Sequence, residues 1–285
     1  MTQYYQLLFP YAYNILGSAE DARDTVQEVL SKYYTSERAG IQDEKNYLIR
    51  SVINLAINYK NRNKRISRQP AEWLPEPIAT DDTADKNVYL KDILSYSLMV
   101  LMERLPAIER AVFILKESFD YTHSDIAEVL SISEEYSRKL LSRAKTRLFK
   151  PEAAVRSKTQ EADTKSLLMD YMDTIRRGDV ARLEKMLSAE VALMVDGGGK
   201  INVVTKIAHG ASEVARVLAL VFDKYLQYAD AAFHWINHQP ALLFSKDGKL
   251  YSCLVFELGP DHSIQSINSV VDPDKLSLLS QQIQA

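Results

Sequence analysis

The stretch Thr122–Phe149, THSDIAEVL then SIS then EEYSRKLLSRAKTRLF, constrains this chain more than any other. It predicts a helix, a three-residue turn and a second helix. In the first helix Ile126, Ala127 and Leu130 form one apolar side. Ser133 suits the N-cap of the second, and Glu134 and Glu135 sit in its first turn, where the helix dipole favours anions. At the helical period Leu140, Leu141, Ala144 and Leu148 share one stripe, and Arg138, Lys139, Ser142, Lys145 and Thr146 fall on the opposite side. A helix braced from behind, with a basic and hydroxyl-rich outer face, is what reading a major groove requires. A solvated basic face on an ordinary helical hairpin has the same pattern, so this stretch alone leaves both readings open.

The 285 residues suffice for two or three domains. The single cysteine, Cys253, excludes a disulfide framework and a cysteine-rich zinc site, and its apolar neighbours predict a buried core residue. The N-terminus lacks the basic segment and apolar run of a signal peptide, and no apolar stretch approaches the roughly 20 residues of a membrane span. A soluble cytoplasmic protein with no membrane contact is expected. The net charge of −3 argues against unaided coating of duplex DNA. Residues 1–150 hold 21 basic and 21 acidic side chains, and residues 151–285 hold 14 and 17. Any nucleic-acid binding must therefore come from local patterning, with help from a larger partner.

Residues 3–66 are expected to be all helical. A first helix runs from Gln3 to Leu16 and ends at Gly17, after which Ser18 can cap a second, with Asp21 three residues on. That helix, Ala19 to about Tyr34, has Ala22, Val26, Val29, Leu30 and Tyr33 on one side, with Asp21, Asp24, Gln27, Glu28 and Lys32 away from it. A third runs from Glu44 to about Lys64, with Leu48, Val52, Leu55, Ala56 and Tyr59 as its buried stripe. Its opposite face carries Asn46, Arg50, Asn54, Asn58, Asn61, Arg62 and Arg65. Asparagine is a poor helix former, so four on one face need a reason. Asparagine mixed with arginine suits base edges and phosphates, and nearby Tyr33, Tyr34 and Tyr47 could stack on exposed bases.

Residues 69–85 hold five acidic side chains, no basic ones and three prolines, a linker composition. Yet Trp73 and Leu74 in WLPEP are costly to leave in water, which suggests docking. A helix is expected over Val88–Glu103 and another over Ala107–Glu117, separated by RLP.

Beyond residue 163 the pattern changes. Helices are expected at Thr164–Arg177 and Val180–Leu187, then a strand Val191–Val195, the turn DGGGK (Asp196–Lys200) and a strand Ile201–Ala208. A long helix Ala211–Gln227 precedes strands at Ala231–Ile236, Ala241–Ser245, Leu250–Leu258 and Ile264–Val271, with KDGK (Lys246–Lys249) a hairpin turn. Helices followed by a curled antiparallel sheet make this part α+β.

Three segments, EDARDTVQEVLSKYY (Glu20–Tyr34), YLIRSVINLAINYKNRNKR (Tyr47–Arg65) and the run Leu101–Leu148, together resemble the extracytoplasmic-function class of bacterial sigma factors. The first two are similar to sigma region two and the last to region four. Asn58 stands where that family usually has aspartate, and Ser131 where it usually has a turn glycine. The resemblance implies binding of the RNA polymerase core, through its beta and beta-prime subunits, by Asp24, Gln27 and Glu28. It implies minus-ten promoter recognition by Asn46, Arg50, Asn54, Asn58, Arg62 and Arg65 with the Thr35–Gln42 loop. It implies minus-thirty-five readout by Arg138, Lys139, Ser142, Arg143, Lys145 and Thr146.

The order of elements over about 163–272 resembles the SnoaL-like branch of the NTF2-like cone fold. WLPEP, DGGGK and DPDKL (Asp272–Leu276) together resemble the sigma-factor group with a fused SnoaL-like domain, with Asp272 in place of that group's usual asparagine. The resemblance implies a multidomain chain: region two over 1–68, a linker over 69–87, region four over 88–152 and a regulatory cone with a tail over 163–285. An intramolecular contact between cone and sigma domains is expected from Trp73, Leu74 and Pro75, from Asp196, Gly197, Gly198, Gly199 and Lys200, and from Asp272, Pro273, Asp274, Lys275 and Leu276. The tail is expected to reach out of the cone.

Two alternatives stay open: a stand-alone helix-turn-helix regulator with an effector-binding cone, and a cone-fold isomerase or hydrolase with a DNA-binding appendage. For the latter, Asp196, His209, His234, His238 and Tyr251 are the available groups. His234 and His238 would share a face of one strand, but two histidines without a third ligand rarely make a metal site. Neither a metal nor a cofactor is expected, and no catalysis.

Overall fold

In the computed structural model the N-terminal helices start and stop where their capping residues put them. Helix α1 (Thr2–Leu16) closes as Gly17 N–H returns to the Tyr13 carbonyl at 2.7 Å, and Ser18 Oγ accepts from Asp21 N–H to open α2 (Ala19–Thr35). Helix α3 spans Glu44–Ile66. The structure describes residues 2–36, 41–66, 73–81, 88–148 and 161–284. Two compact units emerge, one of residues 1–69 and 82–153, the other of residues 70–81 and 154–285. The described part of the linker thus belongs with the C-terminal unit.

In the first unit α1, α2 and α3 bury Leu8, Ala12, Val26, Leu30, Val52 and Ala56 between them. The helix expected over Val88–Glu103 is instead a 3-10 turn, Val88–Asp92, followed by α4 (Tyr96–Met102). The break has a local cause: Leu94 N–H donates to Asn14 Oδ1 at 3.1 Å, and Asn14 Nδ2 donates to the Asp92 carbonyl at 2.8 Å. Both backbone groups are drawn out of a helical ladder by one buried asparagine. Helix α5 (Ala107–Glu117) carries Arg110, which is fully buried, with Nε donating to the Asn14 carbonyl at 2.7 Å, Nη1 to Glu103 and Nη2 to Met99 Sδ at 3.7 Å. Lys60 of α3 meets the same carboxylate at 3.0 Å. Burial works against the charge of Glu103, yet Arg110 and Lys60 outweigh it and hold the carboxyl below its ordinary value. Helices α6 (His123–Leu130) and α7 (Glu134–Leu148) complete the unit, and Thr122 and Asp125 form a reciprocal capping box at the start of α6.

The second unit places α8 (Glu161–Arg176), α9 (Val180–Met186) and α10 (Ala211–Val221) against one sheet. Its strands are β1 (Leu187–Asp196), β2 (Ile207–His209), β3 (Asp230–Ile236), β4 (Gln239–Lys246), β5 (Lys249–Leu258) and β6 (Ile264–Val270). They lie in the order β2-β1-β6-β5-β4-β3. The sheet is mixed, not wholly antiparallel as expected, because β1 pairs with β6 in parallel. That pairing joins the first and last long strands of the unit, a non-local match that no turn signal announces. Of the strand expected over Ile201–Ala208 only Ile207 and Ala208 pair with β1, and β2 runs on to His209, since Ile201 N–H folds back onto the Gly197 carbonyl at 3.1 Å and prolongs the turn. The long helix ends at Val221 and passes into a π-helical turn, Phe222–Leu226. Asp247 and Gly248, both at positive φ, make the expected hairpin turn between β4 and β5. The tail does not reach out of the cone. It forms α11 (Pro273–Gln284), whose Leu276 and Leu279 are buried, as an i, i+3 apolar pair on a helix demands.

Candidate functional site

On α7 the sequence stripe and the buried stripe agree: Ser137, Leu140, Leu141, Ala144 and Leu148 are buried. Ser137 Oγ lies 2.8 Å from His123 Nδ1, tying α7 to α6 from behind. Arg138, Lys139, Ser142, Arg143, Lys145 and Thr146 are all exposed. Arg138 pairs with Glu134 at 2.8 Å, Lys139 with Glu135 at 2.6 Å and Lys145 with Glu117 at 2.8 Å. Exposed pairs of this kind are weak and readily exchanged for phosphate.

On α2 Asp24, Gln27 and Glu28 are exposed, whereas Asp21 turns inward to accept a hydrogen bond from Tyr59 at 3.0 Å. Burial raises the Asp21 carboxyl, and the Tyr59 bond offsets part of that rise. On α3 Asn46, Arg50, Asn58 and Arg62 are exposed, and the Arg62 guanidinium lies 5.4 Å from the Tyr59 ring centroid. The side chain of Arg65 and residues 37–40 of the expected minus-ten loop lie outside the described residues. Asn54 is half-buried, and its Nδ2 donates to the carbonyls of Arg50 at 2.9 Å and Val129 at 3.0 Å. Arg50 donates to Ser131 Oγ at 2.8 Å. Ser131 has φ 54° and ψ 48°, the left-handed geometry that glycine adopts freely. Two residues of the α3 polar face are therefore bonded to the end of α6 and the turn that follows it. Of the tyrosines expected to stack on bases, Tyr33 is buried beside Tyr34 and Tyr47, so only its neighbours present a ring to solvent.

The three short segments singled out in the sequence meet inside the second unit. At the end of β1, Asp196 Oδ1 accepts from Gly198 N–H at 2.8 Å, and Oδ2 accepts from Leu74 N–H at 2.9 Å and Lys275 Nζ at 2.6 Å. Lys275 also donates to the Leu74 carbonyl and sits 4.2 Å from the Trp73 ring centroid. Asp196 and Lys275 are each only 6% exposed. Leu74 and Pro75 are buried, and Trp73 is half-buried rather than exposed. A Cβ on Gly197 would lie 2.5 Å from the Ile201 carbonyl oxygen, and one on Gly198, at φ +62°, 2.2 Å from Asp272 Oδ2. Both glycines are thus required by close approach. Asp272 Oδ1 caps α11 by accepting from Asp274 N–H at 3.1 Å. Asp274 in turn pairs with Lys200 and raises the pKa of that ammonium, while Gly199 merely turns the chain at φ +72°.

From this clamp the connector runs along the end of β3. Ile78 and Asn237 exchange hydrogen bonds at 2.9 Å each, Thr80 N–H donates to the Trp235 carbonyl at 2.7 Å, and Ala79 pairs antiparallel with Ile236. The Asp81 carboxylate accepts from Trp235 N–H and lies 2.9 Å from His234 Nδ1. The connector therefore covers a sheet edge that would otherwise offer unpaired backbone groups. Asn237 and Asp81 were not marked by the sequence pattern, although Asn-His before a strand is a turn signal. His238 is not on the strand with His234: it lies in that turn, at φ 59°. Among the described residues no group of three or more His, Cys, Asp or Glu can hold a metal ion. No helix among them is long and apolar enough to cross a membrane.

Residues 1–66 match the family described as Sigma-70 region 2, and residues 95–148 match Sigma-70, region 4. The chain is 27% identical over 224 residues to the ECF RNA polymerase sigma factor SigJ of Mycobacterium tuberculosis, covering 77% of this chain and 71% of that protein. It is 27% identical over 202 residues to the probable ECF RNA polymerase sigma factor SigI of the same organism, covering 69% of each. The crystal structure of M. tuberculosis SigJ superposes with a TM-score of 0.75 at 23% identity, covering 96% of both chains.

Proposed function

This chain belongs to the extracytoplasmic-function sigma factors, and from that premise we infer that its second unit governs promoter engagement through the connector between α3 and α4. Sigma-70 regions 2 and 4 bind RNA polymerase core and promoter DNA and start transcription. In our reading Asp24, Gln27 and Glu28 face the polymerase. Asn46, Arg50, Asn54, Asn58, Arg62 and Arg65 act where the strands separate, and the exposed face of α7 reads the upstream element. Asn54 Nδ2 and the Arg50 guanidinium cannot serve the α6–α7 turn and a promoter at once. Engagement of DNA by α3 then requires that turn to lift away.

The observation that carries the regulatory part is the buried clamp of Lys275 and Asp196 on Trp73 and Leu74. The chain leaves the first unit at residue 69 and returns to it at residue 82, so the segment joining the two sigma regions is held by the cone. A state of the cone is thereby felt by both regions. In our reading the cone acts without catalysis, and the commitment of Asp196 to the clamp supports this. In our reading the protein acts in the cytoplasm, where a factor for chromosomal promoters would meet its polymerase.

The test is transcription in vitro with core polymerase, comparing the full chain, Lys275→Met and a chain ending at Val271. Both variants should change initiation, and release of the connector should raise it. The point variant is decisive, because loss of α11 also removes the buried Leu276 and Leu279. Equal initiation by all three would sink the regulatory reading.

A further inference from the structure

The second unit forms a pocket of about 340 Å³, partly open to solvent, between α8, α10, the π-helical turn and the inner face of the sheet. Ile175, Leu193, Val217, Phe222, Phe244 and Leu254 supply its walls. Protein interiors normally close to crystal-like density, and an internal gap costs stability in proportion to its volume. The pocket's volume falls within the size range of small-molecule sites, about 300–1,000 Å³. At its edge Ile201, Val204 and Tyr225 expose 44%, 47% and 51% of their surface, an apolar entrance rather than a polar one.

The lining also carries uncharged polar side chains, Asn202, Thr205, Tyr251, Ser252 and Ser269 among them. Tyr171 lines the cavity, is 1% exposed and has no hydrogen-bond partner among the described residues. Its ring is fixed edge-on to Phe256 with centroids 5.2 Å apart. Burial alone pushes its phenol pKa up, so the hydroxyl is a retained donor. Among the described residues Lys249 is the one charged side chain in the lining, and it is exposed at the rim. Among the described residues the lining contains no Asp, Glu, His or Cys, so its hydroxyls have no carboxylate or imidazole base beside them in the lining. A buried charge on a ligand would have no partner inside.

The floor of this cavity is also the back of the clamp. Val271, Pro273 and Leu276 line it, and Lys275, in the same first turn of α11, holds Trp73 and Leu74. We propose that the cavity binds an uncharged lipophilic small molecule bearing one oxygen acceptor for the Tyr171 hydroxyl, and that occupancy reaches the connector through the first turn of α11. The coupling, but not the binding, rests on the regulatory reading above.

The ketone fluorophore prodan, uncharged and lipophilic, is the probe, titrated into the full chain. We expect saturable binding at one site with blue-shifted emission. Leu218→Trp, which fills the cavity, should weaken binding at least tenfold, with near-UV circular dichroism and a cooperative melt verifying the fold; Val217→Trp replaces it if it does not fold. Tyr171→Phe should weaken binding about two- to tenfold, the worth of one net hydrogen bond. Of the two tryptophans, Trp73 is left as sole reporter by Trp235→Phe, and its emission should shift as prodan saturates. Non-saturable binding, or binding undiminished in a folded, filled variant, overturns the site. A saturable site with unchanged Trp73 emission overturns the coupling. No polymerase is present, so neither result is confounded with the transcription assay.

Discussion

Replacing Lys275 by methionine keeps the apolar stem and removes the ammonium. The 2.6 Å ion pair with Asp196, the bond to the Leu74 carbonyl and the contact with the Trp73 ring all go. Stripping one partner from a buried pair costs about 3–5 kcal/mol, mostly because the remaining charge is stranded. Asp196 keeps two backbone donors, Leu74 N–H and Gly198 N–H, which puts the loss at the low end, about 3 kcal/mol. The connector can relieve this by opening locally, since release of Trp73 and Leu74 returns water to Asp196. Hydrogen exchange resolves that event amide by amide. Protection of Leu74 N–H, donated to Asp196, should fall roughly a hundredfold. Thr80 N–H, donated to the Trp235 carbonyl at the far end of the connector, serves as internal reference and should change little. Adding Asp196→Asn should restore more than half of the lost protection, because no bare charge then remains. Unchanged protection at Leu74 would show that the ion pair does not hold the connector, and equal loss at Leu74 and Thr80 would refute local opening.

Alanine at Asp24, Gln27 and Glu28 together should leave the melting temperature within about 1 °C, as expected of exposed positions, and weaken association with polymerase core; unchanged core affinity would remove this surface from the proposal. Arg138→Ala or Arg143→Ala should cost about 1–3 kcal/mol and relax sequence preference if that arginine reads a base, whereas Lys145→Ala should lower affinity on all sequences alike; footprints of the holoenzyme without upstream protection would contradict the assignment of α7. Glu103→Gln should destabilise the first unit by roughly 3 kcal/mol at neutral pH. The folded carboxyl lies below its ordinary 4.5, so its contribution is full above that value and fades as pH falls through the folded value. Urea melts of wild type and variant should therefore converge on acidification, and a gap that persists at low pH would argue against the charge as its source.

What the sequence disclosed was local. Ser18, Gly17 and the Lys246–Lys249 turn act over a few residues, and each did what its chemistry dictates. The α7 stripe was equally legible, because burial of a helix face follows its own period. Long-range choices were not. The parallel β1–β6 pairing and the short β2 depend on which strands come together, not on their composition. Trp73 pointed to docking, but its partners, Lys275 and Asp196, are far away in sequence and were grouped with it only by resemblance. Arg110 immediately precedes the apolar run Ala111–Leu115 and would have been the clue to a buried ionic network, but Glu103 lies before the break between α4 and α5 and Lys60 on α3, so helical spacing could not name its partners. The Asn54 bond to Val129 supplies one reason for a helix-disfavouring residue on α3 that composition left open.

The exchange of backbone bonds between the connector and β3 has a consequence for how the cone is owned by its chain. Residues 73–81 lie on the cone as a foreign peptide would lie on an open sheet edge, with apolar anchors in pockets and main-chain bonds beside them. A protease that severed the chain between residues 149 and 160 would not set the cone free. The fragment would stay on as a separate subunit gripping its own ligand sequence, and dilution rather than cleavage would decide when it left. On the regulatory reading proposed above, a single cut would turn a fused regulator of this build into one that acts in trans.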